Sequence, residues 1–347
     1  MTSFLEHAGC WFLHSGIQER DGGVARYYRS DTASNAAVST EITGYAASAL
    51  VYLHARTGKQ EYLDAAVRAA RYLTHEVWDA AASTFPFEPG SDRAYFFDIG
   101  IIVRGLLAVW RATGEEEFRT RAQEATLSLA FDFLGDGSFH PVISLPDKQP
   151  FPEEPRWSRK PGCYQLKAAL AWREIGDPHA RQLFDAAVAF ALTNHEQFLQ
   201  EESDRQNVMD RLHAYCYFLE ALLFTSDTGD AQASGIKRAG QLLREIAPLF
   251  ERSDVNAQLL RVRLIAHHLG SVPLDEVAAR EEASHVASFQ ALDTTDPRLR
   301  GAFWFGRKGA QMLPFSNPVS TAFCLQALAL WDDHQAERWS FELPQLI

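Results

Sequence analysis

Asp98 stands alone in an apolar run, between Tyr95-Phe96-Phe97 and Ile99-Gly100-Ile101. A solitary carboxylate there is costly unless it is paired or used. Glu41, just ahead of Ile42-Thr43-Gly44-Tyr45, and Asp254, at the head of a later apolar stretch, hold comparable positions. With His213, set between Leu212 and Ala214-Tyr215, they form a candidate acid/base set. Around them the sequence supplies groups that grip a polar ligand: Tyr45, Tyr95, Trp157, Arg211, Arg261, Trp304, Arg307 and Asn317. Carboxylates beside stacking aromatics suit sugar recognition and glycosidic cleavage, in which an acid and a base flank the bond.

Each of these residues also has a plainer reading. Asp254 serves equally as a helix N-cap, and Glu41 is placed to cap its own helix. His213 fits a hydrogen-bonded core histidine. Of Arg261 and Arg263, one is free to reach a ligand while the other pairs with an acid. Arg307 and Lys308, in Gly-Arg-Lys-Gly, read as a mobile cationic loop. Asp332-Asp333-His334 reads as a solvated cluster at a helix end rather than a metal site. No cofactor or metal is expected: Cys10, Cys163, Cys216 and Cys324 lie far apart, outside any zinc-ligand spacing, and read as small buried hydrophobes.

The elements that position these residues are helical almost throughout. From Thr40 the text runs TEITGYAASALVYLHARTGKQEYLDAAVRAARYL, with apolar residues at three- and four-residue steps broken by Thr-Gly-Lys. That pattern predicts a helical hairpin. It recurs with turns at Thr113-Gly114, Gly176-Asp177-Pro178, Thr228-Gly229-Asp230 (a copy read from Asp210 to Phe250) and Gly270-Ser271-Val272-Pro273. A sixth copy is split: Asn317–Trp331 lacks a following partner and Ser3–Gln18 a preceding one. The expected fold is all-α, an (α/α)6 toroid of six hairpins in one domain spanning 1–347, the last hairpin closed by pairing the N- and C-terminal helices.

Turns within hairpins are short, whereas the connections between them are long and aromatic. They span 20–39, 79–95, 135–162, 200–209 and 292–316 and contain ERDGGVARYY, STFPFEPGSDRAYFF, PEEPRWSRKPG and RGAFWFGRKG. Long ordered loops in a compact fold carry function. Each leads into the start of a first helix, where backbone dipoles favour anionic groups. All the candidate residues therefore belong to one rim.

The chain has 347 residues and a formal net charge of −12, which argues against nucleic-acid binding. No apolar run approaches the roughly 20 residues that span a bilayer. The N-terminal text lacks the basic and apolar regions of a signal peptide, so a cytoplasmic location is expected. The oligomeric state is open.

The TEITGYAASALVYLHARTGKQEYLDAAVRAARYL hairpin, its echoes and the DGG, DGS and GAFWFG loop elements resemble the six-hairpin glycosidase-like superfamily over essentially the whole chain. The resemblance implies a carbohydrate ligand. It also implies acidic residues at the starts of first helices, here Glu41, Asp98 and Asp254. The leading expectation is hydrolysis of a glycosidic bond in an oligosaccharide or glycoconjugate. The alternatives are a sugar epimerase or lyase-like enzyme, and a glycan-binding protein with a degenerate site.

Overall fold

In the computed structural model, residues 3–154, 156–199, 204–226, 228 and 230–347 are described, and they form twelve α-helices with short antiparallel strands in the connections. The Thr-Gly turns show why the hairpins close. Gly58 and Gly114 adopt left-handed φ values of 70° and 73° and donate to the carbonyls of His54 and Trp110, a conformation that suits glycine after a helix. The preceding threonine completes the turn in both copies. Thr57 Oγ1 donates to Leu53 O and accepts from Lys59 N, while Thr113 Oγ1 donates to Val109 O and accepts from Glu115 N. Gly176 and Gly270 repeat the left-handed geometry. In the turn at 228–230, Gly229 lies outside the described residues, as do 200–203 of the connection at 200–209.

The chain divides into two compact units. One comprises Gln18–Arg26 and Ala37–Asn194. It contains α2 (Thr40–Thr57), α3 (Gln60–Arg71), α4 (Phe96–Thr113), α5 (Glu116–Phe131), α6 (Gln165–Ile175) and most of α7 (Pro178–Phe198). The first helix of each pair is enclosed and the second is amphipathic, as its sequence pattern requires. Helices α2, α4 and α6 meet backbone to backbone. A Cβ added at Gly105 would lie 2.5 Å from Gly44 O, and one at Gly100 would lie 2.5 Å from Ala168 Cα. Beneath the start of α4, the Phe96 ring stacks on Phe139 at 5.3 Å and meets Trp172 at 5.5 Å.

The other unit comprises Met1–Ile17, Tyr27–Ala36 and His195–Ile347. It contains α1 (Ser3–His14), α8 (Arg205–Leu222), α9 (Ala231–Ile246), α10 (Ser253–His268), α11 (Glu276–Ser288) and α12 (Pro318–Gln335). Helix α10 lies between α8 and α12, and α1 packs on α12, taking the second place in the split hairpin. Trp11 Nε1 ties α1 to Arg298 O at 2.8 Å.

Short ladders brace the connections. In chain order the strands are β1 (Tyr28–Arg29), β2 (Ser34–Asn35), β3 (Arg93–Tyr95), β4 (Val142–Ser144), β5 (Glu251–Arg252), β6 (Gly306–Lys308), β7 (Gln311–Met312) and β8 (Phe315–Ser316). They pair as β2-β1-β8, β3-β4 and β5-β6-β7.

Several boundaries differ from the sequence reading. Helix α8 begins five residues before Asp210, because its polar first turn hides the start. Helix α1 stops at His14, and α12 runs past Trp331 to Gln335. Asp333 is therefore buried inside a helix rather than solvated, and His334 bonds Glu276 at 2.8 Å. Cys10 is exposed, unlike the other three cysteines.

Candidate active site

In the first unit, α2 and α4 set Glu41 and Asp98 close enough that the charge of one acts on the other. Ser39, not Glu41, caps α2, accepting from Ile42 N. The Glu41 carboxyl is left half-buried, and no capping bond holds it. Burial raises it to about 7, against the pull of the Arg26 guanidinium. Asp98 is 7% exposed, and its Oδ2 is enclosed with no hydrogen-bond partner among the described residues. Burial, then the negative charge of Glu41, push Asp98 well above the usual carboxylate range, with Arg26 again opposing. Two nearby carboxyls in a low dielectric cannot both ionise cheaply, so the pair retains a proton near neutrality.

Arg26 is held by Glu88 at 2.6 Å and lies 5.1 Å over the Phe87 ring, which meets Tyr95 at 5.0 Å. Tyr95 precedes α4 and adjoins Asp98 by one helical turn. Trp157 packs edge-on against Tyr164 at 5.1 Å. Burial, with smaller contributions that include the Asp98 and Tyr95 charges, pushes the Tyr164 hydroxyl upward. Tyr45 is fully buried on α2.

The second unit brings Asp254 and His213 together, 3.7 Å apart. Here the acid is locked as an anion. Arg252 grips both Asp254 oxygens, Nε to Oδ1 at 2.9 Å and Nη2 to Oδ2 at 2.7 Å, and reaches Asp210 at 2.7 Å. Burial pushes Asp254 up, but the charge and the two hydrogen bonds of Arg252 outweigh it and leave the carboxyl below its ordinary value. His213 Nδ1 meets Gln258 Oε1 at 2.8 Å and Nε2 meets the Tyr217 hydroxyl at 2.9 Å. Because the amide oxygen only accepts, Nδ1 carries the hydrogen and Nε2 accepts from the phenol. Burial, then Arg252, lower His213 to about 4, so the ring is neutral.

The other expected ligand contacts are placed as follows. Arg261 is fully enclosed: it pairs with Glu220, donates to Gln326 Oε1 at 2.9 Å and to Ile347 O, and lies 4.0 Å over Phe323. Arg263 pairs with Glu282, so both arginines of α10 are taken by acids. Arg211 is buried and donates to Phe198 O at 2.6 Å. Asn317 caps α12, accepting from Ser320 N at 2.6 Å. Arg307 lies on the β6–β7 hairpin rather than a mobile loop; it pairs with Glu251 and lines a cavity of about 360 Å³ with His285 and Glu282. Trp304 is half-buried, and its main chain bonds Phe289 O and the Ser253 hydroxyl.

The sequence reading missed Arg26, Arg252 and Tyr217. An arginine two residues before Asp254 was a signal, whereas nothing local announced that Arg26 would face two acids. Among the described residues no group of side chains is arranged to hold a metal, and no helix is long and apolar enough to cross a membrane.

No family model matches the chain, and no curated protein matches its sequence. Solved structures do match in fold. Cellobiose 2-epimerase from Spirochaeta thermophila superposes with a TM-score of 0.72 at 15% identity, covering 95% of each chain. A D-mannose isomerase gives 0.69 at 13% identity, over 97% of this chain and 98% of its own. An unsaturated glucuronyl hydrolase specific for heparin gives 0.66 at 12% identity, over 96% and 97%. The chain thus shares an all-α (α/α)6 fold with these structures.

Proposed function

We propose that this protein is a carbohydrate-active enzyme in which Asp98 and Glu41 move a proton to and from a sugar. The carrying observation is the enclosed Oδ2 of Asp98, which has no hydrogen-bond partner among the described residues and lies in reach of the Glu41 charge. Held protonated, Asp98 is suited to protonate the glycosidic oxygen as the C–O bond breaks. Glu41, which titrates at about 7, is suited to take the proton from the attacking water. The salt-bridged Asp254 suits a structural anion better than a proton carrier. The likeness to enzymes named for sugar substrates supports the carbohydrate class.

A second reading, epimerisation or isomerisation, is favoured by the neutral His213 and its Tyr217 partner, and by the epimerase and isomerase among the structures of like fold. Incubation with an oligosaccharide panel separates the readings. New reducing ends mark hydrolysis, and incorporation of solvent deuterium into an unchanged number of chains marks epimerisation. Asp98→Asn is expected to lower hydrolytic turnover by roughly 10²-fold or more, the usual worth of a general acid, with the circular dichroism spectrum unchanged. Binding without turnover, indifferent to that substitution, would identify a glycan-binding protein instead.

A further inference from the structure

Arg159 differs from the buried, ion-paired arginines of the chain. Its Nη1 is enclosed and donates no hydrogen bond among the described residues. What surrounds the guanidinium is aromatic: its central carbon lies 5.1 Å from the Tyr95 ring centroid and 6.0 Å from that of Phe151. Arg104, Arg252, Arg261 and Arg263 each hold a carboxylate. A buried donor left unmade costs free energy that a bound acceptor would return. The Tyr95 and Phe151 rings flank the guanidinium, and the side chain as a whole stays partly exposed.

The location ties this donor to the carboxyl pair. Tyr95, under Arg159, lies one helical turn before Asp98. Trp157, in the same short 3₁₀ turn as Arg159, packs on Tyr164, whose hydroxyl responds to both Asp98 and Tyr95. Among the described residues near that pair, Arg26 is already engaged by Glu88.

We propose that Arg159 forms an oxyanion subsite beside the Asp98–Glu41 pair, so that the preferred substrate is an acidic sugar presenting a carboxylate or a phosphate or sulfate ester to Nη1. The proposal rests on the carbohydrate reading of that pair and names its substrate class. Guanidinium–oxyanion bonds are the stronger kind, and one such bond gives roughly tenfold or greater preference over a neutral analogue.

The test measures binding of D-glucuronate, D-glucose 6-phosphate and D-glucose by calorimetry in low salt, to the wild-type protein and to Arg159→Gln. At least one anionic sugar is expected to bind roughly tenfold or more tightly than glucose, and Arg159→Gln to erase the difference while leaving glucose binding unchanged. Preference for glucuronate identifies the carboxylate source; preference for the phosphate identifies an ester. Equal binding of all three sugars, binding of none, or a preference that survives in Arg159→Gln overturns the subsite. Should Arg159→Gln fail to fold, Arg159→Lys replaces it and is expected to retain the charge preference in weakened form. Asp98→Asn is run alongside: it is expected to spare the anion preference and to lower turnover of the oligosaccharide panel by roughly 10²-fold or more. Loss of the preference in Arg159→Gln with Asp98→Asn still active would instead overturn the acid/base reading alone.

Discussion

The charge on Glu41 raises the proton affinity of Asp98, and Arg26 is the cation that pulls against both. The two acids stand on different helices, α2 and α4, and their coupling depends on how closely those helices approach. Their behaviour with pH follows from that arrangement.

Glu41 binds its proton more tightly in the folded chain, at about 7, than its ordinary value of 4.5. A raised folded value gives stability that is complete below 4.5 and is lost as pH rises through 7. Glu41→Gln should therefore gain of the order of 2 kcal/mol relative to wild type at pH 8 and nothing at pH 4. Thermal melts of the two proteins across that range check this; a gain that is independent of pH would refute it.

Arg26→Gln removes the cation that opposes protonation of the pair. The basic limb of the activity profile should then move upward. Stability should change little, because the Arg26–Glu88 pair is more than one-third exposed on each side. A pH–rate profile beside a melting curve distinguishes this from a merely structural role.

Arg252→Ala should cost about 3–5 kcal/mol at neutral pH, because it strands buried Asp254. Arg252→Lys should recover only part of this, lacking the two-pronged grip. Since the folded value of Asp254 is depressed, the stability it contributes is present above 3.8 and lost as pH falls through its lower folded value. Urea titrations of wild type and Arg252→Ala should therefore converge in acid.

Gly105→Ala drives a Cβ to within 2.5 Å of Gly44 O and forces α2 from α4. A loss of about 1–3 kcal/mol is expected. With the helices further apart, Glu41 should raise Asp98 less, so the basic limb of the pH–rate profile should move downward in this variant.

The fold was legible because its signals are local. Thr57-Gly58 and Thr113-Gly114 declare their turns, and the isolation of Asp98 between phenylalanines and isoleucines declared a special carboxylate. What the sequence hid depends on partners far away in the chain. Arg261 looked free because Glu220 lies 41 residues earlier and Gln326 lies 65 residues later. Asn317 and Asp254 looked alike as first-turn residues, yet one caps its helix and the other neutralises an arginine. The start of helix α8 is hidden in the sequence because its opening residues, Arg205-Gln206-Asn207, are polar.

The Thr-Gly turns also bear on how the chain reaches this structure. Each is closed by bonds between residues two to four positions apart, formed without help from the rest of the molecule. Contacts of such short range form early, and chains rich in them fold quickly. Folding is thus expected to begin at several turns in parallel, with the long aromatic connections ordering last. In stopped-flow refolding, Thr57→Val and Thr113→Val should each slow an early phase, and combining them should add their effects.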